Sequence, residues 1–217
     1  MIKGAVEPTA RTRNIASMSE DAPPFPHVGS DDEGWLTGKL LIAMPGMDDP
    51  RFSNAVILLC AHSDEHAVGI RVNQTVEGVN LNALLSQLGV DTDIDLSGKP
   101  ILNGGPVGRD RGFVLHTGDF ETEEGTLTVT DDIRMTATKE ALHAIASDMP
   151  PKRSLLALGY AGWGPGQLET EIANNIWLIA DPENEIVFDD GFDDKWLRAL
   201  ARLGLSPEKL MGSTGSA

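Results

Sequence analysis

The sequence predicts a single domain of the α+β class, and three observations carry that reading. Stretches with strand-like alternation or β-branched runs outnumber helical stretches by about two to one. Several neighbouring strand stretches are separated by a few turn residues, too few for the helical crossover that a parallel sheet requires. The chain of 217 residues, 41% of them hydrophobic, suffices for one sizeable core or at most two small ones.

Residues 1–33 read as a disordered segment. Pro8, Pro23, Pro24 and Pro26 alternate with Glu20, Asp21, Asp31, Asp32 and Glu33, and few apolar residues accompany them. Met18 is an alternative start. The domain itself runs over 34–211, and Gly212-Ser-Thr-Gly-Ser-Ala217 reads as a flexible tail.

Gly38 to Met44 is a strand followed by the turn-rich Pro45-Gly46-Met47-Asp48-Asp49-Pro50. Ala55 to Ala61 and Ala67 to Asn73 form a hairpin through His62 to His66. Leu81, Leu84, Leu85 and Leu88 recur at helical spacing, with Asn80 to cap the helix and Gly89 to stop it. Short strands follow at Lys99 to Asn103, Gly112 to Thr117 and Gly125 to Thr130. A helix from Thr138 to Asp148 closes before Pro150-Pro151. The strand Ser154 to Leu158 leads into a glycine-rich stretch expected to be a compact loop, and a helix runs from Gln167 to Asn175. Strands are expected at Trp177 to Ala180 and Glu185 to Phe188. The helix Asp193 to Leu203 stacks Trp196, Leu197, Leu200 and Leu203, with Gly204 as its stop. Ser206-Pro207 restarts a short helical turn.

Composition excludes several function classes. Against 33 acids stand 17 bases, a formal net charge of −16, with no basic run. A nucleic-acid binder must neutralise phosphates with clustered Lys and Arg, so direct DNA or RNA binding is disfavoured, and so is an anionic membrane surface. One cysteine, Cys60, precludes an internal disulfide and sits in the apolar run Ala55-Val-Ile-Leu-Leu-Cys-Ala61, as a small buried hydrophobe. No stretch is long and apolar enough to span a membrane, and the N-terminus lacks a secretory h-region, so a cytoplasmic setting is expected.

The polar constellations each have a functional and a structural reading. His62-Ser-Asp-Glu65-His66 matches H-x-x-E-H, but that zinc motif needs a helix and these five residues read as a hairpin loop, so no metal is expected. Asn103 to His116 is the most loaded polar stretch. Functionally, Arg111 is an anion clamp and His116 a proton carrier, with Asp110 beside them; structurally, Arg111 bonds loop carbonyls, Asp110 neutralises it and His116 is a satisfied strand-end histidine. The structural reading is favoured, since no nucleophile or metal set accompanies the pair. Asp110, Arg111 and His116, with Tyr160 and Trp163 from the glycine-rich stretch, make up the candidate ligand pocket. Gly159, Gly162, Gly164 and Gly166 match neither dinucleotide nor Walker spacing, and Glu169 and Glu171 behind them repel an anion. Asp189, Asp190, Asp193 and Asp194 lack the spacing of a calcium loop.

Three stretches carry a family resemblance. They are Gly38-Lys-Leu-Leu-Ile-Ala-Met-Pro-Gly-Met-Asp-Asp-Pro-Arg-Phe52, Gly104-Gly-Pro-Val-Gly-Arg-Asp-Arg-Gly-Phe-Val-Leu-His116, and Leu158-Gly-Tyr-Ala-Gly-Trp-Gly-Pro-Gly-Gln-Leu-Glu169 with Asn175 and Trp177 following. On these the chain resembles the bacterial YqgE/AlgH family over roughly Gly34 to Leu203. The resemblance implies a bifurcated, mostly antiparallel sheet curled into a pseudo-barrel and flanked by about four helices. It implies a cytosolic protein with no established enzymatic activity; some members carry a transcriptional-regulator label from a link to alginate production. The family shows a glycine near position 66, where this chain has His66, which argues further against zinc. No catalytic residue, cofactor or metal is implied. The expectation is a non-catalytic protein acting through a protein partner or small-ligand sensing, with indirect regulation as one outcome. Two alternatives are an enzyme acting on a small anionic substrate through Arg111 and His116, and a direct DNA-binding regulator.

Overall fold

The sheet is built around one strand that changes neighbours halfway along. The computed structural model describes residues 36–122 and 124–212, so the predicted 1–33 segment and the residues after Gly212 lie outside the described residues. The strands are β1 (Leu40–Ala43), β2 (Val56–His62), β3 (Ala67–Arg71), β4 (Ile101–Asn103), β5 (Val107–Thr117), β6 (Thr126–Thr128), β7 (Ile133–Thr136), β8 (Ser154–Trp163) and β9 (Trp177–Ala180). Their order is β6-β7-β5-β8-β3-β2-β1-β9, with β4 paired to β8 off this path. The β4·β8 pairing is parallel and the others are antiparallel.

The first half of β8 lies between β4 and β5, with Leu156 opposite both Ile101 and Val114. Its second half, Ala161 to Trp163, pairs instead with β3. The switch occurs at Gly159, which has φ +72°, a left-handed conformation that glycine adopts without cost. There the chain of Gly104-Gly105 crosses so closely that a Cβ on Gly104 would sit 2.2 Å from the Gly159 carbonyl oxygen. One on Gly105 would sit 2.1 Å from the Tyr160 carbonyl carbon. This crossing splits the sheet in two and curls it into a half-barrel.

Both faces are covered. Along β1, Leu40 and Ile42 point into the curled interior while Leu41 and Ala43 face the opposite layer, the period-two alternation of a strand. Burial on both sides explains why β2 is an unbroken apolar run. The interior is closed by Ile186 and Val187 of α4 (Asn184–Phe188) and by Trp196, Ala199 and Leu200 of α5 (Lys195–Arg202). A second cluster joins Leu81, Leu84 and Leu85 of α1 (Leu81–Gln87) to Ala141, Leu142 and Ile145 of α2 (Lys139–Ile145) over β4 and β8. A third seats Leu168 of α3 (Gln167–Ala173) against β1, β2 and Trp177. The last helix is α6 (Pro207–Gly212).

α5 carries a fully buried lysine. Lys195 Nζ donates to the Val72 and Val187 carbonyls at 2.9 and 3.1 Å and sits 4.6 Å from the Phe192 ring centroid. Burial pushes its pKa down to about 8, against the pull of Asp189.

The sequence expectations hold for the fold class and most elements, and three are corrected. Among the described residues six α-helices, not about four, flank the sheet, because α4 and the short α6 add to the four expected. Glu185 to Phe188, expected as a strand, lies in α4: Ile186, Val187 and Phe188 are all buried beneath α5, and Val187 N–H bonds the Glu183 carbonyl at 2.9 Å. Tertiary burial overrides the β propensity of those side chains. The glycine-rich stretch after Leu158 is not a loop until Gly164, because β8 continues to Trp163 and recruits β3. The strand β7 was not anticipated.

Candidate functional site

The longest-range consequence of that extended strand is a cleft of about 500 Å³ on the α3 face. Its walls come from three separated parts of the chain. Met44, Met47, Arg51 and Phe52 come from the turn after β1, Pro106 and Val107 from the start of β5, and Trp163, Gln167, Glu171 and Trp177 from β8 through β9.

The floor is aromatic. Trp163 packs beside Gly69 of β3, where an added Cβ would sit 2.5 Å from Ile57 Cγ2 and in ordinary contact with the indole ring. Trp163 and Trp177 meet edge to face at 5.9 Å, and Phe52 meets Trp177 at 5.8 Å, arrangements that ring quadrupoles favour. Glu171 organises the pair. Its Oε2 accepts both indole N–H groups, from Trp163 at 2.8 Å and Trp177 at 2.7 Å. Its Oε1 accepts the Gln167 amide at 2.8 Å, and Gln167 Oε1 in turn accepts the Gly164 N–H at 3.1 Å. Gln167 and Glu171 meet because they are one helical turn apart on α3.

The opposite wall is a short 3₁₀ turn, Pro50–Phe52, capped by Asp49. The Arg51 guanidinium clasps Asp49, which holds that carboxyl below its ordinary pKa. Arg71, 7% exposed, ties this turn to β4: its Nη1 donates to the Arg51 carbonyl at 2.6 Å and its Nε to the Asn103 carbonyl at 3.1 Å. Burial pushes its pKa down to about 10, with a smaller contribution from Arg109. The cleft's electrostatic balance is acidic: Asp48, Asp49 and Glu171 line it against Arg51 alone, and Arg51 is taken by Asp49.

The residues predicted as one pocket fall into three places. Trp163 lines the cleft, but Tyr160 projects from the other face of β8, as odd spacing along a strand dictates, and packs edge-on against Phe113 at 5.8 Å. Arg111 and Tyr160 both lie beside Gly108, while Asp110 is exposed on the same irregular stretch of β5. His116 pairs with Ser154, six residues from Tyr160 along β8 and therefore about 20 Å away. It is fully buried: its Nδ1 donates to the Thr117 carbonyl at 2.9 Å, leaving Nε2 to accept the Thr136 hydroxyl at 2.8 Å. Burial pushes its pKa down. Arg111 and His116 therefore lie at different places along β5.

His62 and His66 do not converge as metal ligands. His62 Nδ1 accepts the Leu36 N–H at 3.0 Å, so its Nε2 carries the proton and donates to Glu169 at 2.6 Å. Among the described residues no group of three His, Cys, Asp or Glu side chains is placed to hold a metal. Cys60 is fully buried and its pKa is pushed up to about 12.

Of the cleft's central residues, Trp163 alone belongs to the pocket expected from sequence; Trp177, Glu171, Arg71 and Phe52 were not expected there. The available signal was the Gln167/Glu171 spacing behind the two tryptophans. Nothing local marked Arg71.

The model of the AlgH-like family, DUF179, matches residues 40–208. A UPF0301 protein of Caulobacter vibrioides strain NA1000 / CB15N is 49% identical over 191 residues, covering 88% of this chain and 98% of that one. One of Rhodospirillum rubrum is 46% identical over 185 residues, covering 85% and 96%. The solution structure of the AlgH protein from Pseudomonas aeruginosa superposes with TM-score 0.70 at 36% identity, covering 88% of this chain and all of that one. DIP2367 from Corynebacterium diphtheriae shares the fold, with TM-score 0.61 at 22% identity, covering 81% of this chain and 89% of that one. Sequence and fold agree: this chain belongs to the AlgH-like, UPF0301 family.

Proposed function

We propose that the protein is a non-catalytic, cytoplasmic binding protein whose aromatic cleft takes up a small, flat, neutral or cationic ligand. Any effect on transcription then runs through a protein partner rather than through DNA. One observation carries this reading: the three stretches that mark the family by sequence, far apart in the chain, all contribute walls to the same cleft. Its chemistry narrows the ligand. Indole and phenyl faces attract flat apolar groups and cations, whereas Asp48 and Glu171, left over once Asp49 pairs with Arg51, repel anions.

The absence of turnover is supported by the state of the reactive side chains. The Cys60 thiol is sealed and protonated, His116 is committed to Thr117 and Thr136, and both Glu171 oxygens are engaged. The charge of −16 supports the indirect route. Val107 and Ile176, both partly exposed at the rim, favour a second reading in which the cleft seats an apolar side chain of a protein partner.

A thermal-shift screen with matched cationic, neutral and anionic aromatic compounds tests this, because a ligand that binds only the folded state raises the melting temperature by mass action. The expected hits are cationic or neutral, are lost in Val107→Trp, and are recovered chemically unchanged. Preference for anions, or conversion of a hit to product, contradicts the proposal.

A further inference from the structure

A second cavity, of about 520 Å³, has the opposite electrostatic character. It opens where two apolar clusters fail to meet. Leu155 and Phe188 belong to the curled interior, while Leu81, Leu96 and Ile145 belong to the α1–α2 layer. The sheet contributes Ser154, Leu155 and Leu156 from the start of β8, and Leu81, Ile94, Leu96, Ile145 and Phe188 supply further apolar walls.

The polar lining is cationic. Lys99, Lys152 and Arg153 stand against Asp95 and Asp190. Three of the chain's 17 bases and two of its 33 acids meet here, reversing the sign of a protein whose net charge is −16. Asp95 is already engaged, accepting the Ser97 N–H at 2.9 Å. Arg153 has only a long contact with Glu185, 3.9 Å away, and among the described residues no carboxylate lies in ion-pair range of Lys99 or Lys152. Cationic side chains beside apolar walls in one cavity match a ligand with an alkyl body and an anionic head.

We infer that this cavity is a binding site for an amphipathic carboxylate, with the alkyl chain between Leu81, Leu96, Ile145 and Phe188 and the head group at Lys99 and Arg153. It is separate from the aromatic cleft and does not depend on what that cleft binds. Head-group attraction is local, since the remainder of the surface repels anions.

Calorimetric titration of decanoate below its micelle concentration tests it, with decyltrimethylammonium and decyl maltoside as cationic and neutral controls. Decanoate binds and the ammonium compound does not. Lys99→Glu with Arg153→Glu weakens binding at least tenfold. Gly98→Phe abolishes it by filling the cavity, at a position where an added Cβ meets nothing within 4 Å. On unaltered protein, NMR methyl signals of Leu81, Leu96 and Ile145 move with decanoate, which keeps the test independent of how the variants fold. No heat with decanoate, equal binding of the ammonium compound, full binding by Gly98→Phe, or shifts confined to Trp163 and Trp177 each overturn the assignment.

Discussion

Replacing Glu171 separates the role assigned to its carboxylate from mere helix propensity. In Glu171→Leu, the indole N–H groups of the buried Trp163 and Trp177 lose the one oxygen they share. A buried donor left without an acceptor costs about 1–3 kcal/mol, so two cost roughly 4 kcal/mol. For a domain of this size each kcal/mol moves the melting temperature by about 2–4 °C, which places the variant roughly 12 °C below the parent. Glu171→Gln keeps one carbonyl oxygen for the two indoles but loses the charge, and its loss is smaller, about 1.5 kcal/mol. The decisive arm is a double-mutant cycle with Trp177→Phe, followed by circular dichroism melts. Trp177→Phe removes a satisfied bond from the parent but an orphaned donor from Glu171→Leu, so the two changes couple by about 2 kcal/mol. A Glu171→Leu variant that melts with the parent, or a cycle with no coupling, refutes the shared-acceptor account.

Three further outcomes follow from the packing and charges. Gly105→Ala drives a methyl group into the Tyr160 backbone and costs at least about 3 kcal/mol, whereas Gly98→Ala stays within about 0.5 kcal/mol of the parent; equal melting temperatures contradict the close crossing. Stability changes sign of slope in mild alkali. Lys195 titrates near 8 when folded against an ordinary 10.5, so its penalty is full below 8 and is relieved as pH rises; Cys60, near 12 when folded against 9.0, loses its contribution only above 9. Denaturant melts between about pH 8 and 9 therefore show a gain of roughly 1 kcal/mol, and a decrease there contradicts the burial of Lys195. Arg71→Met frees the Arg51 and Asn103 carbonyls, and hydrogen exchange at Arg51 and Phe52 speeds up; unchanged exchange refutes the tether.

Much of this architecture was legible because local signals and tertiary demands agreed. Asn80 caps α1 as its position suggested, its side chain accepting the Ala83 N–H at 3.1 Å. The turn between β2 and β3 falls at the polar residues after His62. What escaped was set at a distance. β8 runs through its glycines because β3 is there to pair with them, and α4 forms because α5 covers three consecutive apolar residues. Strand parity places two of the candidate pocket residues on opposite faces, since a three-residue step from Tyr160 to Trp163 crosses the sheet, a separation the loop reading concealed. Glu171 acquires its role only when two indoles converge on it. Arg71 is likewise defined by carbonyls 20 and 32 residues away.

The three family-marking stretches meet at the aromatic cleft, where ligand binding is expected. In a ¹⁵N-resolved NMR titration with a cationic aromatic compound selected for binding, the indole N–H signals of Trp163 and Trp177 move in concert, while that of Trp196, which donates to the Ala43 carbonyl at 2.8 Å, stays in place. Movement confined to Trp196, or binding that leaves both cleft indoles undisturbed, contradicts that expectation.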